Sequence, residues 1–526
     1  MVLHLVKTST SIFGTENFII NKLHCSFFLV YAEELKSIGT PKRSWCFNEN
    51  TIFMRNLPLF LFFAFIIFIS CNKNDSLKNP NFILILSDDQ GWNGTSYEMI
   101  SNQVYSKSDY YETPNIENLA KSGMVFSRAY SPGPTCSPTR YAIQFGQTPA
   151  RLKHIRVSMN VDHIDHLGMI SIPRALKEID NRYVAGHFGK FGMYSEPKNF
   201  GYDFSDGMTG NIDGNIDGTI ETKWLPQHHE DPKQIFGITN RSLSFMENQV
   251  KENNPFYLQV SHYAVHSDLV SRKEVFDKYK KKKRGVYHEN PSIAAMTEDL
   301  DFSVGEILKK VKELGIEDNT YIIYMSDNGA VEQILGSKKT NKKNKGYNYP
   351  LRHGKGTLYE GGIRVPFIIS GPNIKPGSST SVSISGVDIL PTIQDLASDK
   401  LNLNEKMDGG SFKKNLFNDV NSKIIRNNDF LVFHLPFRRG SFNPHSAIIQ
   451  NEFKLIKFTN SNKLLLFNLE NDINEKNDLS EQFPEITKKL NILLEEYLKD
   501  VKAPKWKKGI NWRPFKKTLK EFNSFY

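Results

Sequence analysis

Three stretches of this chain run apolar or β-branched without alternation and then stop at polar or acidic residues. They are residues 82–86, ahead of Asp88-Asp89; residues 256–260, ahead of His262 and His266; and residues 321–325, ahead of Ser326-Asp327-Asn328-Gly329. A strand with no polar face must be covered on both sides, as in a parallel sheet between helices. Open α/β sheets take their ligands at the carboxyl ends of such strands. The segments between the runs agree. "TPNIENLAKSGMVFSRAYS" reads as a helix from Thr113-Pro114 to Gly123 and then a short strand. "IPRALKEIDNRYVAGHFGKFGMY" repeats helix, strand and polar loop, and residues 296–314 carry helical spacing closed by Gly315. The expected class is α/β, with one large sheet between helices.

Beyond about residue 400 the texture becomes Asn- and Lys-rich. "SAIIQNEFKLIKF" and "KLLLFNLENDINEKNDLSE" alternate enough for antiparallel strands, and residues 486–498 form an amphipathic helix. A chain of 526 residues has room for two domains. The boundaries expected are 78–400 for the larger and 401–526 for a smaller α+β domain with an antiparallel sheet.

The amino terminus is a processing signal in appearance. Met54 and Arg55 precede an apolar run, residues 57–69, too short to span a bilayer. Ser70 and Cys71 close it, giving residues 54–71 the proportions of a signal peptide with a lipoprotein-type cleavage site and Cys71 as the lipidated residue. The expected location is outside the cytoplasm of a bacterium, in the periplasm or anchored to the outer membrane. Residues 1–53 carry no targeting pattern and are expected to be a misassigned extension. The net charge of +10 favours anionic partners, and no nucleic-acid-binding motif is present. Of four cysteines, Cys25 and Cys46 fall in that extension and Cys71 in the signal, so Cys136 has no partner for a structural disulfide.

Cys136 opens the motif Cys136-Ser137-Pro138-Thr139-Arg140, and a helix after it places the cysteine at a helix amino terminus, where an anion is welcome. The stretch "SRAYSPGPTCSPTRYAIQFGQTPARL" (127–152) resembles the sulfatase family, and matching motifs follow in order over roughly residues 80–485. The resemblance implies an alkaline-phosphatase-like fold with a large mixed, mostly parallel sheet. It implies that a maturation enzyme oxidises Cys136 to formylglycine (3-oxoalanine). It implies a Ca2+ site, with Mg2+ as the alternative, at Asp88, Asp89, Cys136, Asp327 and Asn328; carboxylate and amide oxygens are hard ligands suited to either ion. Arg140, Lys190, His266 and Lys355 complete the implied catalytic set, with His262 as the competitor of His266.

The aldehyde hydrate carries two hydroxyls on one carbon. One attacks sulfur and expels the alcohol; the other then collapses to aldehyde and ejects sulfate. The sequence departs from the family at Phe191 and Gly192, where tryptophan and histidine are expected; His187 is the nearest substitute. Glu360 and Arg364 are expected to be structural. "GNIDGNIDG" reads as a substrate-side insertion rather than a calcium loop, residues 278–285 as a solvated basic loop, and His434, Arg438, Arg439 and His445 as residues that could reach substrate. The substrate implied is a sulfated carbohydrate, algal polymers such as ulvan or carrageenan first and glycosaminoglycans second. A phosphatase or phosphodiesterase on the same fold, or a non-catalytic sulfated-glycan-binding relative, are the alternatives.

Overall fold

The computed structural model describes residues 79–214, 222, 224–332, 348–398, 403–417, 419–439, 441–507, 519 and 524–526. The extension, the signal peptide with Cys71, and residues 215–218 of "GNIDGNIDG" lie outside the described residues. Among the described residues no helix is long and apolar enough to cross a membrane.

Eight strands build the large sheet: β1 (Asn81–Ser87), β2 (Met124–Phe126), β3 (Val184–Gly189), β4 (Phe204–Ser205), β5 (Phe256–Ser261), β6 (Thr320–Ser326), β7 (Phe367–Ser370) and β8 (Ser378–Thr380). Their order is β8-β2-β7-β6-β1-β5-β3-β4. From β6 to β4 every neighbour pairs in parallel; β7 is antiparallel to both β6 and β2. The sheet is therefore mixed and mostly parallel, as expected.

The seven residues of β1 are all buried, because helices cover both faces. Phe82, Leu84 and Leu86 point to one core with Tyr321, Ile323 and Met325. On that side pack α2 (Cys136–Phe145), α3 (Ile172–Ile179) and α6 (Ile389–Ser398). Ile83 and Ile85 point to the other core, with Ile322, Tyr324, Leu258 and Val260. There α1 (Pro114–Ser122), α4 (Ile235–Lys251) and α5 (Pro291–Glu313) supply Leu119, Met246 and Ile307. A fully buried Leu or Ile contributes about 1.5–3 kcal/mol, so a one-residue slip of β1 would exchange two complete cores. The first core extends past residue 400, through Met407, Phe412, Leu416 and Ile424.

A second, antiparallel sheet follows in simple meander order: β9 (Leu431–Leu435), β10 (His445–Gln450), β11 (Phe453–Phe458) and β12 (Leu464–Asn468). Helix α7 (Pro484–Asp500) covers one face with Leu490, Leu494 and Leu498. The other face, with Phe433, Ile456 and Phe467, packs on Tyr130, which follows β2, and on Leu358 and Ile363 of the loop between β6 and β7.

The basic run at 278–285 differs from expectation. Lys278 lies in a helix, Lys273–Lys281, and its ammonium bonds Glu298 at 2.7 Å. Lys282 bonds Glu112 at 2.6 Å. The first four residues of the run are thus helical and two of its six basic side chains are tied to carboxylates, while Lys280, Lys281, Lys283 and Arg284 are exposed.

Candidate active site

Pairing in register brings the ends of the parallel strands level: Ser87 lies opposite Ser326, Leu86 opposite Ser261, and Gly189 opposite Ser261. The residue after each end therefore emerges at one rim. Asp88 and Asp89 leave β1, Asp327 and Asn328 leave β6, Lys190 leaves β3, and the loop to His266 leaves β5. Asp88 is held in the turn by its backbone, donating to Ala264 O (2.9 Å) and accepting from Val265 N (2.7 Å).

Cys136 is the first residue of α2 and meets this rim. Its Sγ is 3.4 Å from Asp88 Oδ1 and 3.9 Å from Asp89 Oδ1. One ligand atom each from Asp88, Asp89, Cys136 and Asp327 falls within a 4.8 Å span, and all four residues are buried. Arg140 stands one helical turn beyond Cys136, so both share a face of α2. Its Nε and Nη2 donate to Asp327 Oδ2 at 3.0 and 2.8 Å, and Nη1 donates to Lys190 O. The Lys190 ammonium pairs with Asp88. Lys355 pairs with Asp89 and lies 3.2 Å from Cys136 Sγ. His266 Nδ1–H donates to Ser267 O at 2.5 Å, which leaves Nε2 as the acceptor atom, 3.8 Å from Asp89 Oδ2.

Asn328 tests whether a cation fits. Its Nδ2 donates to Asp89 Oδ1 (2.8 Å) and Gly329 O (2.9 Å), while its Oδ1 is buried with no partner among the described residues. An orphaned buried carbonyl oxygen beside three carboxylates is a hard-ligand set with one lone pair unused. The residues present fit a divalent cation.

The charges carry the same message. Burial alone would raise the Asp88 carboxyl, but the cations Lys190, Lys355 and Arg140, Lys190 first, outweigh it and hold it well below the ordinary range. Burial and the neighbouring Asp88 push Asp327 up to about 6. Two buried acids driven apart in this way are what a dication between them relieves. Burial, then Asp327 and Asp88, push the Cys136 thiol up to about 12, so the unmodified sulfur is a poor nucleophile at neutral pH. Burial pulls His266 down to about 4, leaving it neutral.

The other candidates separate cleanly. His187 is buried and bonds Ser261 Oγ at 3.1 Å, a structural partner. His262 bonds Ser303 Oγ at 3.0 Å beneath the site. Gly192 has φ +65°, and a Cβ there would meet Arg140 Cδ at 2.9 Å. Arg140 thus occupies the space where a side chain at position 192 would begin. Glu360 and Arg364 are buried and paired with each other at 3.2 Å, a structural role as expected. His434 bonds Ser446 Oγ and Pro504 O, and His445 accepts from Leu358 N at 3.0 Å, so neither reaches the rim. Arg438 is exposed, whereas Arg439 lies against Gly356, beside Lys355. Lys233 escaped the sequence reading. It is buried near Asp268, Asp88 and Asp89, and burial draws it down to about 7. Its setting, Asp231-Pro232-Lys233, looks like any helix start, so nothing in the letters singles it out.

A mostly parallel sheet that gathers three carboxylates, an amide and several cations around one cysteine defines a hydrolase of the alkaline-phosphatase-like fold with a candidate metal site. Residues 80–399 match the Sulfatase family and residues 352–503 the C-terminal family of N-sulphoglucosamine sulphohydrolase. The chain belongs to the sulfatase family and is a sulfuric ester hydrolase. A protein of Formosa agariphila named Sulfatase is 27% identical over 538 residues, covering 85% of this chain and 94% of that one. N-acetylgalactosamine-6-sulfatase of Rattus norvegicus is 27% identical over 369 residues, covering 63% and 64%. The crystal structure of Ps i-CgsB in complex with k-i-k-neocarrahexaose superposes with a TM-score of 0.65 at 25% identity, covering 85% and 97%.

Proposed function

We propose that this enzyme hydrolyses sulfate monoesters on a sulfated polysaccharide or oligosaccharide, an algal galactan such as carrageenan before a glycosaminoglycan. The similarity to Ps i-CgsB, whose structure holds a neocarrahexaose, supports the first, and the similarity to N-acetylgalactosamine-6-sulfatase the second. The observation that carries the chemistry is the convergence of Asp88, Asp89, Asp327 and Asn328 on Cys136 at the strand ends.

Asp88, Asp89, Asp327 and the free Oδ1 of Asn328 would hold the divalent cation, and Cys136 would be the residue oxidised to formylglycine. Together these groups supply charge neutralisation at the sulfate and a nucleophilic hydroxyl. The chain does the rest. Arg140, locked to Asp327 by two hydrogen bonds, sets the rotamer of that ligand and the line of α2. Lys190 and Lys355 bring positive charge to the two sides of position 136, where the ester oxygens must sit. His266 is neutral with Nε2 3.8 Å from Asp89 Oδ2, a position from which it or Lys355 would assist departure of the leaving oxygen.

The apolar run and cysteine of residues 54–71 support export and lipid anchoring at Cys71. Sulfate and phosphate release are to be compared on paired aryl esters and on defined sulfated oligosaccharides, before and after chelation. Sulfate release that chelation abolishes and Ca2+ or Mg2+ restores is expected; faster phosphate release, or activity indifferent to chelation, rejects the proposal.

A further inference from the structure

Within the site the opposite charges are matched: Lys190 with Asp88, Lys355 with Asp89, Arg140 with Asp327. Beside them lies a cation with no such answer. Arg439 sits on the connection between β9 and β10, where its N donates to Phe442 O at 3.1 Å and Phe442 N donates back at 3.0 Å. The Phe442 ring stands edge-on to His353 at 4.8 Å, anchoring this tip to the loop that carries Lys355. Gly356, the next residue after Lys355, has φ +86°, and a Cβ there would overlap the Arg439 guanidinium. The guanidinium therefore rests on bare backbone, close enough to feel Asp89 and Cys136. Among the described residues it makes no hydrogen bond and no ion pair. A second guanidinium, Arg156, lies over Phe437 at 5.8 Å and within electrostatic reach of Arg439.

Two like charges brought together beside the active site, one of them without a carboxylate, are costly until an anion arrives. The scissile sulfate does not need them, since Lys190 and Lys355 already flank position 136. We propose that Arg439 is a specificity-determining residue that binds a second anionic substituent of the substrate, an oxyanion of sulfate or carboxylate, with Arg156 adding to the local field. The proposal rests on the sulfated-carbohydrate reading above and names which member of that class is preferred, one carrying at least two anions close together.

The test compares the unaltered enzyme with Arg439→Ala and Arg439→Lys on oligosaccharides of one backbone. One bears a single sulfate, one bears two, and one bears a sulfate and a carboxylate. The preference for the doubly over the singly charged substrate should fall roughly 10- to 100-fold in Arg439→Ala, the size of a lost charged hydrogen bond. The loss should lie in KM rather than kcat, shrink in high salt, and be partly recovered in Arg439→Lys. Whichever doubly charged substrate loses more identifies the second group as sulfate or carboxylate. An unchanged preference, or equal losses on singly and doubly charged substrates, overturns the assignment. If the unaltered enzyme cleaves a simple aryl sulfate but no member of the panel, the carbohydrate reading itself falls, and this assignment with it.

Discussion

Position 136 holds a thiol that its own surroundings make inert. Burial and two carboxylates push it up to about 12, although it sits at the centre of every functional contact. A site so organised around a poor nucleophile is consistent with a residue that acts only after oxidation. If the proposed oxidation holds, Cys136→Ser supplies one hydroxyl where a hydrated aldehyde would supply two, so it should release at most about one equivalent of alcohol per enzyme and remain sulfated. Burst kinetics and intact mass check this; steady turnover would contradict it. Position 192 is the second instructive residue. At φ +65° and 2.9 Å from Arg140 Cδ, any side chain is strained and pushes on the arginine that holds Asp327. Gly192→Ala should cost about 1–3 kcal/mol in stability, read from urea unfolding, and lower kcat more than it raises KM. That Cys136 stands near a helix amino terminus was legible; that the helix already includes Arg140, one turn on, was not. Lys233 was not, because a lysine near a helix start is ordinary until the fold closes around it.

Among the elements, the antiparallel sheet does more than close the chain. Lys454 of β11 bonds Glu360 Oε1 at 2.8 Å and approaches Glu475 Oε1 at 2.8 Å, with all three side chains fully buried. Glu475 Oε2 in turn accepts from Glu360 N at 2.7 Å, and Arg352 donates to Glu475 O at 2.7 Å. These bonds bind the loop that carries Lys355 to the second sheet. Removing one partner leaves buried charges unanswered, so Lys454→Met should lose about 3–5 kcal/mol in denaturant unfolding. The double variant Lys454→Met with Glu475→Gln should lose less than the sum of the two single losses. The strands and helices themselves were plain in the letters, because apolar runs of five residues and helical spacing of eighteen or so have few other solutions. The start of the basic run was misjudged, since it lies in a helix and the carboxylate Glu112, which pairs with Lys278 and Lys282, lies far away in sequence.

At the scale of the molecule, buried histidines govern the response to acid. His154, His187 and His262 are drawn down to about 3, and His434 and His445 to about 4, each chiefly by burial. An unfolded histidine takes up its proton near 6.5. The stability these residues contribute is therefore complete above pH 6.5 and is lost as pH falls toward 3 or 4, at about 1.4 kcal/mol per unit for each. Asp301 and Glu475 oppose this, because burial lifts them to about 6 and 7 and their protonated forms favour the folded state. Asp327, raised to about 6, and His266, lowered to about 4, act in opposite directions, so the histidines still outnumber the acids and Tm should fall steadily from pH 6.5 to 5. A flat or rising Tm over that interval would contradict the burial of these rings.

Periodicity and turn residues were enough to determine the α/β class and the helices around the sheet, and the resemblance to the sulfatase family singled out the nine residues that meet at its rim. Those signals are local, and a strand end followed by an acid carries its meaning in a few letters. Which cations answer which carboxylates, why position 192 has no side chain, and how Arg439 and Lys233 come to lie beside Asp89 were decided only by the tertiary structure. Charge pairing and steric fit depend on distances between residues up to hundreds of positions apart, and those distances exist only once the strands are in register.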